Sequence, residues 1–383
     1  MGHQVKRILT IGLLAIAVTA YATDSRFRRF PPDLSLSCLL WGICEPPRRL
    51  IPIDPWEYYV PRSVGVNLMS WDKSMGAGQE MDWWDVMGPL GTPNWETVEW
   101  ARDEFGLTAI GLMLRAHPWD NYYENIRKLF RLPGIDIIVF RPEYWGFTDY
   151  RCDGSLGVLW VEYPTGPNDN FPWYEWSVFD GLYGYYANQD KTIIVTNIEA
   201  DWQLRGVGCR DGEHRPEDYE WYMLREFNRR QAAAERAREA NPDAALRVDH
   251  GIEVNFFGNE DWQDNTILCG IIPHMDSEPD RIGLSLYAMA GDPVEALHYA
   301  MECTGLPANR FYISEVGSRR LDRQYDRIYD VTDTLFNEGV SFALVWSLDV
   351  LPEDTDWSVV DPYTGTWCGG MDAIHDLNLK WRE

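Results

Sequence analysis

Eight short apolar runs rich in β-branched and aromatic residues, each followed by helix-compatible sequence, set the tightest limit on what this chain can fold into. They are Val64 to Met69, Thr108 to Leu114, Ile135 to Phe140, Thr192 to Asn197, Leu246 to Val248, Ile282 to Tyr287, Arg310 to Ser314 and Val340 to Trp346. Near-continuous apolar strands are covered on both faces, as in a parallel sheet wrapped by helices. Helical patterns fall between them: Asn94 to Phe105, Asn121 to Leu132, Tyr174 to Gln189, Glu217 to Ala240, Pro293 to Cys303 and Arg320 to Asn337, with shorter ones around Trp262 to Ile272 and Met371 to Leu377. Repeated βα units in this number predict an α/β fold, a single-domain (β/α)8 TIM barrel over residues 63–383. An open doubly wound sheet is the alternative, and the lack of a GxGxxG turn after the first strand counts against it.

The segment ahead of the barrel has no such period. Lys6 and Arg7, the apolar run Ile8 to Val18 and the small-x-small site Ala20-Tyr21-Ala22 predict a signal peptide over residues 1–22. The expected location is secreted or periplasmic, with no stable membrane insertion after cleavage. Residues 23–62 carry Phe30-Pro31-Pro32 and Glu45-Pro46-Pro47-Arg48-Arg49 and read as an extended lead-in. Export permits disulfides among the 7 Cys; Cys38 and Cys44 are spaced to close a small loop, and a Cys152 to Cys209 pair would stiffen two long loops. The odd count leaves one thiol outside intramolecular pairing.

Charge excludes one class of partner. With 60 Asp and Glu against 34 Lys and Arg, the formal net charge is −26, which argues against nucleic acid and disfavours a polyanionic glycan. A hydrophobic fraction of 45% with a mean hydropathy of −0.36 fits a soluble globular protein, expected as a monomer.

In a (β/α)8 barrel, chemistry sits where the strands end and the βα loops begin. Strand two finishes Leu114-Arg115-Ala116-His117, strand three Phe140-Arg141-Pro142-Glu143, and strand four Thr196-Asn197-Ile198-Glu199-Ala200-Asp201-Trp202. Strand six finishes at Tyr287, strand seven Ile313-Ser314-Glu315, and strand eight Val345-Trp346. Glu199 and Glu315 thus approach one barrel mouth from opposite sides, as two carboxyls must to flank a glycosidic bond. One would be protonated as general acid and the other ionised as nucleophile, with Arg115 and Tyr287 placed to supply charge and a donor.

This set resembles clan A of the glycoside hydrolases, the retaining (β/α)8 enzymes. The resemblance implies Glu199 as acid/base, Glu315 as nucleophile, Arg115 as the arginine near it, Tyr287 as its hydrogen-bond donor and Trp346 as the floor of the sugar site. It departs from the clan in one place: the usual Asn-Glu dipeptide is Asn197-Ile198-Glu199 here. Because i and i+2 share a strand face, Asn197 still points inward below Glu199, while Asp201 becomes a competing acid.

Other residues fill out the cleft. His117 is a structural or sugar-contacting histidine. Glu143 and Glu253 are candidates for an inverting base or a sugar contact, with pairing to Arg141 or another arginine as the alternative. Trp71, Trp83, Trp84, Trp119, Trp145, Trp173, Trp176 and Trp202 lie mostly at or beyond strand ends, where indoles stack on pyranose rings or pack the core. No cofactor is expected. Asp249, His250, Glu253, His274 and Asp276 lack metal-site spacing, so no metal is expected either. GxSxG and GxxxxGK[ST] are absent, against serine hydrolases and nucleotide enzymes. The expected partner is a carbohydrate substrate. Two alternatives remain: a non-catalytic carbohydrate-binding TIM barrel, or a metal-dependent hydrolase on the same scaffold.

Overall fold

The computed structural model describes residues 62–68, 94–114, 128–142, 175–197, 200–201, 219–255, 266–286, 291–318, 320–346, 359 and 369–381. Eight parallel strands, each paired to the next in chain order, close into a barrel when the last pairs with the first. They are β1 Val64–Leu68, β2 Ala109–Leu114, β3 Ile137–Pro142, β4 Thr192–Thr196, β5 Arg247–Asn255, β6 Arg281–Ser285, β7 Phe311–Val316 and β8 Ala343–Val345. Closure through Val64↔Ala343 and Val66↔Val345 excludes the open doubly wound sheet. The signal segment 1–22 and the lead-in 23–62, Arg62 apart, lie outside the described residues, as do Cys38, Cys44, Cys152 and Cys209.

The strands are apolar because both faces are covered. Outward side chains such as Val66, Ile110, Ile138, Val195 and Ile282 join helix residues including Val98, Phe179, Phe227, Leu335 and Ile374 in one large core. Each such side chain contributes about 1.5 to 3 kcal/mol on burial. Inward residues Ala109, Ile137, Val139, Ile194, Tyr312, Phe342 and Leu344 form a separate cluster inside the barrel. Further along the inward face, toward the C-terminal ends of the strands, the lining turns polar. Asn67, Arg141, Thr196, Glu253, Ser285 and Ser314 are all buried there.

Helices among the described residues include α1 Asn94–Phe105, α2 Glu175–Tyr186, α3 Tyr219–Ala240, α4 Pro293–Thr304, α5 Gln324–Asn337 and α6 Gly369–Trp381. In α6, Asn378 fastens the last helix to the first strand: its Oδ1 accepts the Val64 N–H at 2.8 Å and its Nδ2 donates to the Val64 carbonyl at 3.0 Å. α4 carries its own start and stop. The Asp292 carboxylate accepts the Val294 N–H at 2.8 Å ahead of Pro293, and Gly305 ends the helix at φ 72°, left-handed backbone that glycine adopts without strain. Asp292→Ala is expected to cost about 1 kcal/mol, read as a lower denaturation midpoint at unchanged slope.

Two segments differ from the sequence expectation. β5 runs on to Asn255 rather than stopping at Val248, because its polar residues find partners inside the fold. Asp249 accepts from Arg247 at 2.8 Å and Arg281 at 3.3 Å, and His250 Nδ1 meets Gln231 of α3 at 3.1 Å. Of the helix expected over Trp262 to Ile272, the described residues form a π-helical turn, Thr266–Ile271, followed by a 3-10 turn, Ile272–His274. A disulfide, Cys269–Cys303, ties that turn to α4, a pairing the cysteine spacing does not suggest. Among the described residues no helix is long and apolar enough to cross a membrane.

Candidate active site

Strand β7 is irregular where it matters most. Leu284 of β6 pairs with Ile313, but Ser285, the next residue, pairs with Glu315; on the other side Ile313 faces Ala343 and Val316 faces Val345. One extra residue on β7 breaks the alternation that would turn Ser314 and Glu315 to opposite faces. Glu315 is consequently buried beside Ser285, whose hydroxyl donates to its Oε2 at 2.8 Å.

Beneath it lies a cationic hub. Arg141 of β3 donates from Nε to Glu253 Oε2 at 2.5 Å, from Nη1 to Asn67 Oδ1 at 2.8 Å and from Nη2 to the Ser314 carbonyl at 3.3 Å. Asn67 Nδ2 donates to the same carbonyl at 2.8 Å, so the bulge itself is held by two donors. Gly111 makes room for this: a Cβ there would lie 1.9 Å from Asn67 Oδ1 and 2.8 Å from Arg141 Nη1. Burial pulls the Arg141 guanidinium down, yet the Glu253 and Glu315 carboxyls and Tyr312 outweigh it and hold it above the ordinary arginine value. Burial likewise raises the Glu253 carboxyl, with Arg141 opposing. Tyr312, stacked on Phe342 at 4.7 Å, is raised by burial and by Glu253.

Strand β4 ends against the same carboxyl's strand. Buried Asn197 donates from Nδ2 to the Glu253 carbonyl at 3.3 Å, and the Asp201 carboxylate accepts the Asn255 N–H at 2.8 Å. Asp201, a competing acid by sequence, thus ties itself to the end of β5. Half-buried Trp346 directly follows β8, its N–H on the Val316 carbonyl at 2.8 Å.

Of the sequence-derived site residues, Glu315 lies beside Ser285 of β6, Asn197 meets the backbone carbonyl of Glu253 on β5, and Trp346 follows the end of β8. Glu253 takes the alternative offered for it, the ion pair with Arg141. Glu199, Arg115, His117, Glu143, Trp202, Tyr287, Trp71 and Trp173 lie outside the described residues, as do Trp83, Trp84, Trp119 and Trp145 and the side chain of Trp176. Asn67 and Ser285 were not singled out. Their signal was a polar residue at inward parity in an apolar strand. The grouping of Asp249, His250, Glu253, His274 and Asp276 is dispersed: Asp249 faces arginines, His250 faces α3 and Glu253 faces Arg141. Among the described residues no group of three or more His, Cys, Asp or Glu could hold a metal ion.

No protein-family model matches the chain, and no curated protein matches it. Solved structures do. A GH5-4 broad-specificity endoglucanase from Clostridium longisporum aligns with a TM-score of 0.50 at 12% identity, covering 83% of this chain and 96% of that one. The AHE enzyme from Alicyclobacillus herbarius aligns with a TM-score of 0.50 at 13% identity, covering 84% and 98%. What the three chains share is the barrel fold. Function has to be argued from the site.

Proposed function

We propose that this chain is a secreted or periplasmic retaining glycoside hydrolase of the clan A type, acting as a monomer on an oligo- or polysaccharide without a cofactor. The observation that carries the reading is the bulge in β7, which turns buried Glu315 to the Ser285 side at the C-terminal end of the barrel. A carboxylate so placed, with a hydroxyl donor on one oxygen and a guanidinium beneath, suits attack on an anomeric carbon. Glu199 would protonate the leaving oxygen and then take a proton from the water that frees the glycosyl group, at about 5 to 5.5 Å from Glu315. Arg115 and Tyr287 would steady the nucleophile. Trp346, Trp202, Trp71 and Trp173 would stack on sugar rings, and His117, Glu143 and Asn197 would contact hydroxyls.

The test is hydrolysis of a polysaccharide panel with β-glucans first, since the Clostridium longisporum structure is named as an endoglucanase. The newly formed anomer is followed by proton NMR. Cleavage with the product first appearing in the substrate's configuration is expected. Inversion would remove Glu315 as nucleophile, and retention of the protein on a polysaccharide without cleavage would make it a binding module.

A further inference from the structure

Attack on an anomeric carbon needs a carboxylate held in one direction. In β7 that direction starts at Ser314, the residue before Glu315 and the one that the register with β6 skips, since Ile313 pairs with Leu284 and Glu315 with Ser285. The carbonyl of Ser314 meets side chains: it accepts from Asn67 Nδ2 at 2.8 Å and from Arg141 Nη2 at 3.3 Å. Asn67 stands on β1 and Arg141 on β3, and neither strand neighbours β7, so both contacts cross the barrel interior. A peptide is planar, so a carbonyl held at Ser314 fixes the plane from which the Cα of Glu315 departs.

The Asn67 amide is spent on this arrangement from both ends. Buried on β1, it donates through Nδ2 to the bulge and accepts through Oδ1 from Arg141 Nη1 at 2.8 Å. Arg141 also carries the ion pair with Glu253, so a change there disturbs more than the bulge. At the tip of Glu315 the Ser285 hydroxyl donates to Oε2 at 2.8 Å, but a hydroxyl rotates to suit its acceptor and follows the carboxyl where the backbone sends it. We propose that Asn67 is a positioning residue for Glu315: its amide, with Arg141, holds the bulge carbonyl of Ser314 and thereby directs the carboxylate to the Ser285 side of the barrel mouth. The catalytic consequence rests on reading Glu315 as the nucleophile; the hold on the bulge does not.

Asn67→Asp keeps the volume and the acceptor for Arg141 but sets an oxygen against the carbonyl where an N–H had been, and Asn67→Leu keeps the volume and offers neither group. In each, kcat on the cleaved polysaccharide is expected to fall about 100-fold with KM within about twofold, the scale of a displacement of about 1 Å at the reacting atoms. A residue that merely supports the barrel is told apart by a cycle with Glu315→Ala. There azide from solution takes the place of the carboxylate and the aim of Glu315 no longer counts, so adding the Asn67 substitution should change the azide-rescued rate by less than about threefold. A similar loss in the Glu315→Ala background, a loss confined to KM, no loss at all, or failure of both variants to fold would overturn the proposal. An arm independent of activity is the crystal structure of whichever variant folds. The Ser314 carbonyl is expected to turn from its place and Glu315 Oε2 to lie beyond about 3.5 Å from Ser285 Oγ, outside hydrogen-bond reach, and an unmoved carboxyl overturns the proposal. If the wild type cleaves no polysaccharide, the glycosidase reading fails while this structure still decides what holds Glu315.

Discussion

Glu315→Ala is expected to lower kcat/KM on the cleaved polysaccharide by at least about 10,000-fold, the scale lost when a covalent nucleophile is removed. The barrel is expected to survive. Glu315 receives Ser285 through a hydroxyl that can rotate to another acceptor, and the strand pairing around the bulge is made by backbone groups and held by Asn67 and Arg141. Removing the side chain leaves a small anionic pocket vacant, so azide should enter it and restore cleavage. For a β-retaining enzyme the product is the α-glycosyl azide, since azide then attacks from the nucleophile's side. The corresponding Glu199→Ala rescue yields the β-azide. Initial rates with and without azide, and the anomeric configuration of the product, check both halves. An alanine variant retaining more than about one hundredth of the activity would show that Glu315 forms no covalent intermediate.

The strand count was legible because the barrel's covered strands need apolar side chains on both faces, and runs such as Ile135 to Phe140 and Thr192 to Asn197 supply them. α4 was legible to within one residue because Asp292, Pro293 and Gly305 encode its ends locally. Strand β5 was cut short for the opposite reason. Asp249, His250 and Glu253 look like loop residues until Arg281, Gln231 and Arg141, brought in by other elements, satisfy them. Glu315 could be picked out as a strand-end carboxyl, but its orientation could not, because a bulge is a mismatch of register with β6 and β8 and is not written in β7 alone. Arg141 was visible only as an arginine near two glutamates. That it also holds Asn67 and the carbonyl of Ser314 depends on strands far apart in the chain closing on each other.

Arg141→Met is expected to cost about 3 to 5 kcal/mol of stability, the range seen when one member of a buried ionic group is removed. Methionine fills much of the volume but donates nothing, so Glu253 Oε2 and Asn67 Oδ1 both lose their donor inside the barrel. The two carboxyls that Arg141 faces, Glu253 and Glu315, are also left without its cation. Their charge gives the loss a pH dependence. Protonation cancels it, so the difference from wild type should be largest at neutral and alkaline pH and shrink as the pH falls through the carboxylate range. For Glu253 itself the sign is the reverse of a surface carboxylate. Its folded-state value is raised, so folding takes up a proton, and that contribution is present at acid pH and is lost as the pH rises through the folded-state titration. Urea midpoints at several pH values, with equal slopes required, measure both effects. Arg141→Lys restores the charge but not the fork that reaches Glu253, Asn67 and the Ser314 carbonyl together, and should therefore fall between wild type and Arg141→Met. A pH-independent loss for Arg141→Met would mean that the missing donors, rather than the stranded charge, set the cost, and Arg141→Lys would then recover little of it.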